Sequence, residues 1–166
     1  MKKSRERLAK LAVLLAGVCV GAGAQEITGF PAPPTSKGHV SYTAEVVEVI
    51  AGKPAVVELK FRVDDGFHVN SHTPGSDLLI PTMLKLESVG SAKVLSEEYP
   101  RGAAFHLTIG DGELLDVYQG EFRIRLRVLV PRGQSMLQGG LRYQACDSAA
   151  CFPARTLAVN VAITGK

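Results

Sequence analysis

From His39 onward the chain repeatedly alternates apolar and polar residues with a period of two. The clearest run sets Phe122, Ile124, Leu126, Val128 and Val130 against Arg123, Arg125 and Arg127. Val56, Leu59, Phe61 and Val63 alternate less regularly with Glu58, Lys60, Arg62 and Asp64, and the pattern returns in Leu141, Tyr143 and Ala145 and in Leu157, Val159, Val161 and Ile163. In a strand successive side chains point to opposite faces, so this spacing puts one set in a core and the other in water. Turn-forming groups separate the runs: Ala51-Gly52-Lys53-Pro54, Asp64-Asp65-Gly66, Thr73-Pro74-Gly75, Gly110-Asp111-Gly112 and Gln138-Gly139-Gly140. The fold expected is all-β, an immunoglobulin-like antiparallel sandwich of about seven to nine strands.

Composition supports this reading. Of 166 residues, 46% are hydrophobic and 21% charged, the balance of a folded chain. There is no tryptophan, so the core must be aliphatic, and 17 Gly with 9 Pro interrupt the chain too often for long helices.

The formal charge of +3 is concentrated at the front. Lys2, Lys3, Arg5, Arg7 and Lys10 precede the apolar run Leu11 to Ala24, which closes on Ala22-Gly23-Ala24. Basic, apolar and small-residue regions in that order make a secretory signal peptide over residues 1–24. The run is shorter than the roughly 20 residues that cross a bilayer as a helix, so a retained anchor is the lesser reading and no stable membrane insertion is expected after cleavage. Cys19 is poorly placed for lipidation, because Val18 stands before it where a small residue is wanted. Removing residues 1–24 leaves 14 Lys and Arg against 15 Asp and Glu, which takes away any electrostatic footprint for nucleic acid. Residues 25–38, with Phe30-Pro31-Ala32-Pro33-Pro34, read as a Pro-rich tail, and residues 39–166 as one domain, periplasmic or secreted.

Export leaves two thiols, Cys146 and Cys151, in an oxidising compartment. They lie in one connection between strands, Cys146-Asp147-Ser148-Ala149-Ala150-Cys151. In the chain-entropy account, closing about six residues stabilises by ~2 kcal/mol, against ~4.7 kcal/mol for a loop of about 100, so a bridge here constrains little. From spacing, a structural staple and a redox bridge both stay open; a metal site lacks further ligands nearby.

The segment Tyr143-Gln144-Ala145-Cys146-Asp147-Ser148-Ala149-Ala150-Cys151-Phe152-Pro153 resembles the cysteine motif of the amino-terminal periplasmic domain of the thiol:disulfide interchange protein DsbD. Asp65-Gly66-Phe67-His68-Val69-Asn70-Ser71, Leu79-Ile80-Pro81-Thr82 and Val117-Tyr118-Gln119-Gly120 fit the same family, and the resemblance spans roughly residues 39–163 in order. It implies an immunoglobulin-like domain that passes reducing equivalents between a membrane-linked donor and periplasmic partners by thiol–disulfide exchange. Those partners would be thioredoxin-like or membrane-embedded redox proteins, held in transient mixed disulfides, and no cofactor is implied. On the family pattern Cys151 forms the mixed disulfide and Cys146 resolves it. Tyr143, Asp147, Phe152 and Pro153 flank the pair, with His68 and Asn70 matching flanking positions. The family's cap loop corresponds to Phe105 through Gly112, which places Ile109 where the shielding aromatic would sit.

No helix N-terminus is visible to lower a thiol pKa, and Asp147 opposes a second negative charge beside it, so ordinary or raised thiol pKa values are expected. The other candidates favour plain roles. His39, His68, His72 and His106 read as surface or partly buried histidines, and Arg123, Arg125 and Arg127 as a solvated face. Ser71 and Ser148 have no base and orienting acid in a hydrolase order, and Gly102, Gly110 and Gly112 do not lead a strand into a helix. The chain shows neither a relaying membrane segment nor a carboxy-terminal thioredoxin-like domain, so a separate donor is expected, with the direction of electron flow open. The competing function is a non-catalytic immunoglobulin-like binding module, its bridge a local staple and the loop His72 to Ile80 its recognition surface.

Overall fold

The computed structural model describes residues 38–106 and 114–166. The expected signal peptide, all of the Pro-rich tail but Gly38, and Ile109 lie outside the described residues. Twelve strands are formed among those described, more than the alternation suggests, because several long runs are broken as they pass between sheets. They are β1 (Val40–Thr43), β2 (Val46–Val49), β3 (Pro54–Val63), β4 (His68–Asn70), β5 (Met83–Val89), β6 (Lys93–Glu98), β7 (Ala103–His106), β8 (Leu114–Tyr118), β9 (Glu121–Leu129), β10 (Gly133–Tyr143), β11 (Ala145–Cys146) and β12 (Arg155–Gly165).

Two sheets, ordered β1-β3-β9-β6 and β2-β12-β10-β5, make the sandwich. In the first, Val57 lies opposite Leu126, Leu59 opposite Ile124 and Phe61 opposite Phe122, all turned inward. The second brings Leu137 opposite Val161 and Leu141 opposite Leu157. Both inner faces join one buried cluster, in which each fully buried large apolar side chain stabilises by about 1.5–3 kcal/mol. The outer face of β3 and β9 sets Glu58 opposite Arg125, Lys60 opposite Arg123 and Arg62 opposite Glu121. Arg125 Nε donates to Glu58 Oε1 at 3.0 Å and Arg123 Nη2 to Glu121 Oε1 at 2.7 Å. The arginine row is thus a solvated face on which Arg123 and Arg125 are met by carboxylates from their own and neighbouring strands, while Arg127 lies between Val56 and Ser96.

Two expectations are corrected. Pairing is not wholly antiparallel: β2 runs parallel to β12. Gln138-Gly139-Gly140 is not a turn but the middle of β10, paired with β12 on one side and β5 on the other. Here glycine answers to close approach. A Cβ on Gly139 would run into the carbonyl oxygen of Lys85 on β5, and one on Gly140 into the Thr156 side chain on β12.

A third small sheet, β11-β4-β8-β7, is built from continuations of the main strands at one end of the sandwich. β3 passes into β4 through Asp64-Asp65-Gly66, where Phe67 N–H donates to Asp64 C=O and Gly66 takes φ 84°. β8 passes into β9 through Gly120, at φ 57°, whose carbonyl accepts from Val63 N–H at 2.8 Å. β10 passes into β11 at Gln144. This end sheet carries the cysteines.

Candidate functional site

Cys146 and Cys151 are joined in a disulfide, S–S 2.04 Å, across a hairpin leading from β11 toward β12. The hairpin closes on the main chain as well: Asp147 N–H donates to Ala150 C=O at 2.9 Å and Phe152 N–H to Ala145 C=O at 2.8 Å. Asp147 organises the turn between the cysteines, its Oδ1 accepting from Ala149 N–H at 2.7 Å and Ala150 N–H at 2.8 Å. The two sulfur-bearing residues differ sharply in exposure. Cys146 is 1% exposed, whereas Cys151 is exposed. Only one half of the bridge is therefore open to solvent. Cys146 belongs to a paired strand and Cys151 to the rim of the loop.

Register determines what surrounds Cys146. It lies directly opposite His68, so the two side chains share one face of the end sheet. Asn70, two residues on along β4, lies opposite Val117, placing both on that face too. His68 is 1% exposed, and Phe105 from β7 reaches across to its ring, centroids 4.2 Å apart. Phe105, expected in the cap stretch, thus lies over the histidine that neighbours Cys146. Asn70 is fully buried and donates through Nδ2 to Ile80 C=O at 3.0 Å and to Gln144 Oε1 at 3.5 Å, while Gln144 Nε2 donates to Phe152 C=O at 3.1 Å. These bonds tie the residue before β11 to the residue after Cys151. The Tyr143 hydroxyl donates to Gly38 C=O at 2.7 Å, which ties Gly38 to the end of β10.

On the Cys151 side, Phe152 borders a trio of rings. His39 stacks on Phe67 at 3.7 Å, and Phe152 stands 5.5 Å from His39 and 5.9 Å from Phe67. His39 also has φ 66° and places Nδ1 3.3 Å from Asp64 Oδ2. Pro153 follows Phe152, exposed. Sequence reasoning did not single out Phe67, His39 or Gln144 as site residues. Phe67 and Gln144 stood inside quoted motifs, but His39 lies more than a hundred residues before Cys151, and no local pattern joins them.

The electrostatics are simple. The N–H groups of Ala149 and Ala150 hold the Asp147 carboxyl below the usual carboxylate range, helped by His39, so it carries a negative charge at neutral pH. Burial pushes the His68 pKa below the usual histidine range, with the charge of Asp147 acting in the opposite sense. Among the described buried side chains, His68 Nε2 has no hydrogen-bond partner, nor do Asn70 Oδ1 and Asp116 Oδ1.

His72 goes elsewhere: it stacks on Tyr99 at 3.7 Å and donates through Nδ1 to Thr82 C=O at 3.0 Å. No group of three His, Cys, Asp or Glu among the described residues is arranged to hold a metal ion. Chemically, the site offers a sulfur–sulfur bond with one end open to a visitor and the other sheltered beside an imidazole.

No family model and no curated protein matches the sequence. Among solved structures the chain is similar to the DsbD N-terminal domain of Neisseria meningitidis in its reduced form, at 16% identity over 70% of this chain and 83% of that one, TM-score 0.41. It is also similar to the N-terminal periplasmic domain of ScsB from Proteus mirabilis, at 17% identity and TM-score 0.44. That match covers 72% of this chain and 44% of the other. A third likeness, to the ASH/PapD-like domain 7 of human CEP192, has 11% identity over 84% of this chain and 95% of that one, TM-score 0.33.

Proposed function

We propose that this protein is an exported thiol–disulfide interchange domain that passes reducing equivalents between a membrane-linked donor and periplasmic protein partners through Cys146 and Cys151. One observation carries the reading: the bridge has an exposed half at Cys151 and a buried half at Cys146. Exchange requires an incoming thiolate to approach in line with the sulfur pair, so a partner attacks Cys151 and Cys146 departs with the bonding electrons. In the reverse sense Cys151 attacks an oxidised partner, and Cys146 then attacks Cys151 to release that partner as a dithiol. The partners are thioredoxin-like or membrane-embedded redox proteins engaged in transient mixed disulfides. The neighbouring rings of Phe67, Phe152 and His39 supply the apolar surface against which a partner can seat.

The working unit is residues 39–166, delivered by cleavage after Ala24. Amino-terminal sequencing of the exported protein should read from Gln25, and retention of residues 1–24 would refute that part. The redox claim is tested by the reduction potential. A value in the shuttle range of about −180 to −270 mV supports it, whereas one below about −300 mV makes the bridge a staple and the domain a binding module. Independently, Cys146→Ser leaves Cys151 unable to be resolved and should accumulate discrete mixed disulfides in the exporting host. Random adducts alone would refute the proposal.

A further inference from the structure

We propose that His68 is the acid–base group of the exchange reaction, taking the proton from the Cys146 thiol when Cys146 resolves a mixed disulfide and returning it when the bridge reopens. This rests on the exchange reading above and assigns a residue to it.

Three independent observations carry it. Cross-strand register sets His68 directly opposite Cys146 on the same face of the end sheet, where facing Cβ atoms stand ~5 Å apart. His68 is 1% exposed, yet its Nε2 meets no partner, although a buried polar atom left unsatisfied costs on the order of 1–3 kcal/mol. Phe105 lies over the ring, and Asn70, which shares this face, spends its Nδ2 on Ile80 C=O and Gln144 Oε1 and so offers Nε2 no proton. With the bridge closed neither sulfur carries a proton to donate to Nε2. With the bridge open, Cys146 becomes a buried thiol or thiolate beside it, and the unsatisfied nitrogen acquires a partner in one redox state alone.

The step balances. In the mixed disulfide Cys146 S–H gives its proton to the neutral Nε2, and the resulting thiolate attacks Cys151 Sγ. The Cys151–partner bond breaks, the partner sulfur leaves as thiolate, and the proton on His68 passes to it. The sum is a closed Cys146–Cys151 bond and a partner thiol. The groups on this face define the titration. Asp147, following Cys146 on the hairpin, is the charged one; β4 adds Asn70, β8 adds Val117 and β7 adds Phe105, none of which titrates. Burial keeps His68 neutral at pH 7, the form that accepts a proton.

The test uses the mature chain, reduced and mixed with dithiobis(nitrobenzoate) in a stopped-flow instrument. Attack by Cys151 releases the first nitrothiobenzoate, and attack by Cys146 on the adduct releases the second. In the wild type the second phase should rise through a midpoint below pH ~6.5 and then stay level through pH 8. In His68→Gln and His68→Phe the plateau should vanish, the rate rising about tenfold per pH unit and falling at least about tenfold below wild type at pH 7. The first phase should be unchanged. Two folded variants with the wild-type pH shape overturn the assignment while leaving exchange intact. Absence of the second phase in wild type overturns exchange and this inference together. Should neither variant fold, wild-type imidazole ¹⁵N shifts decide: the His68 Nε2 signal must move on reduction of the bridge, and no movement overturns the proposal.

Discussion

Opening the Cys146–Cys151 bond should leave the domain folded and only modestly less stable. The bond joins residues five apart in sequence, so reduction frees a loop of about six residues, for which the chain-entropy account gives ~2 kcal/mol. The structure adds a reason for the loss to stay small: the hairpin remains tied by Asp147 N–H to Ala150 C=O, by Phe152 N–H to Ala145 C=O and by the carboxylate of Asp147. The main cluster is built mostly from residues of the two large sheets, among them Phe61, Ile124, Leu137 and Val161, with Val69, Tyr118 and Ala145 added from the end sheet, and it includes neither cysteine. For roughly 130 folded residues the unfolding entropy is about 0.27 kcal/mol/K, so ~2 kcal/mol corresponds to a fall of about 7 °C in Tm. Thermal unfolding of the mature chain, oxidised and in excess reductant, and of Cys146→Ala/Cys151→Ala, measures this directly. A loss above about 4 kcal/mol, or unfolding of the reduced chain at 25 °C, would show that the bridge supports the fold and would refute the reasoning.

Three further outcomes are expected. Gly139→Ala should destabilise by about 2–3 kcal/mol in urea titration, because its methyl group meets the Lys85 backbone, which cannot swing aside as a side chain can; a change under about 0.5 kcal/mol would contradict the packing. Tyr143→Phe removes the donor to Gly38 C=O in a buried setting and should cost about 1–3 kcal/mol, read from the shift in denaturation midpoint at constant m. The Asp147 carboxyl is held below its unfolded value by the Ala149 and Ala150 N–H groups. Its contribution to hairpin stability is therefore fully present above pH ~3.9 and lost as pH falls through the lower, folded value. Amide shifts of Ala149 and Ala150 should follow that titration, and Asp147→Ala should abolish it.

The sequence determined the sheets themselves. Alternation in Phe122 to Val130 and in Leu157 to Ile163 fixes which side chains face inward, because a pleated strand permits just two directions. It also placed both cysteines in one short connection between strands, which sets the length of the closed loop. Gly139 and Gly140 marked the limit of local reading. Glycine serves turns and close approaches alike, and only the neighbouring strands β5 and β12 reveal which is required. Tertiary structure alone decided the inequality of the two sulfurs, since burial of Cys146 depends on its pairing with β4 and its distance from the rim. It also decided the company they keep. His68, Phe105 and His39 come from parts of the chain 40 to more than 100 residues away, and their convergence follows from sheet order and register, which arise from the whole core and from no single segment.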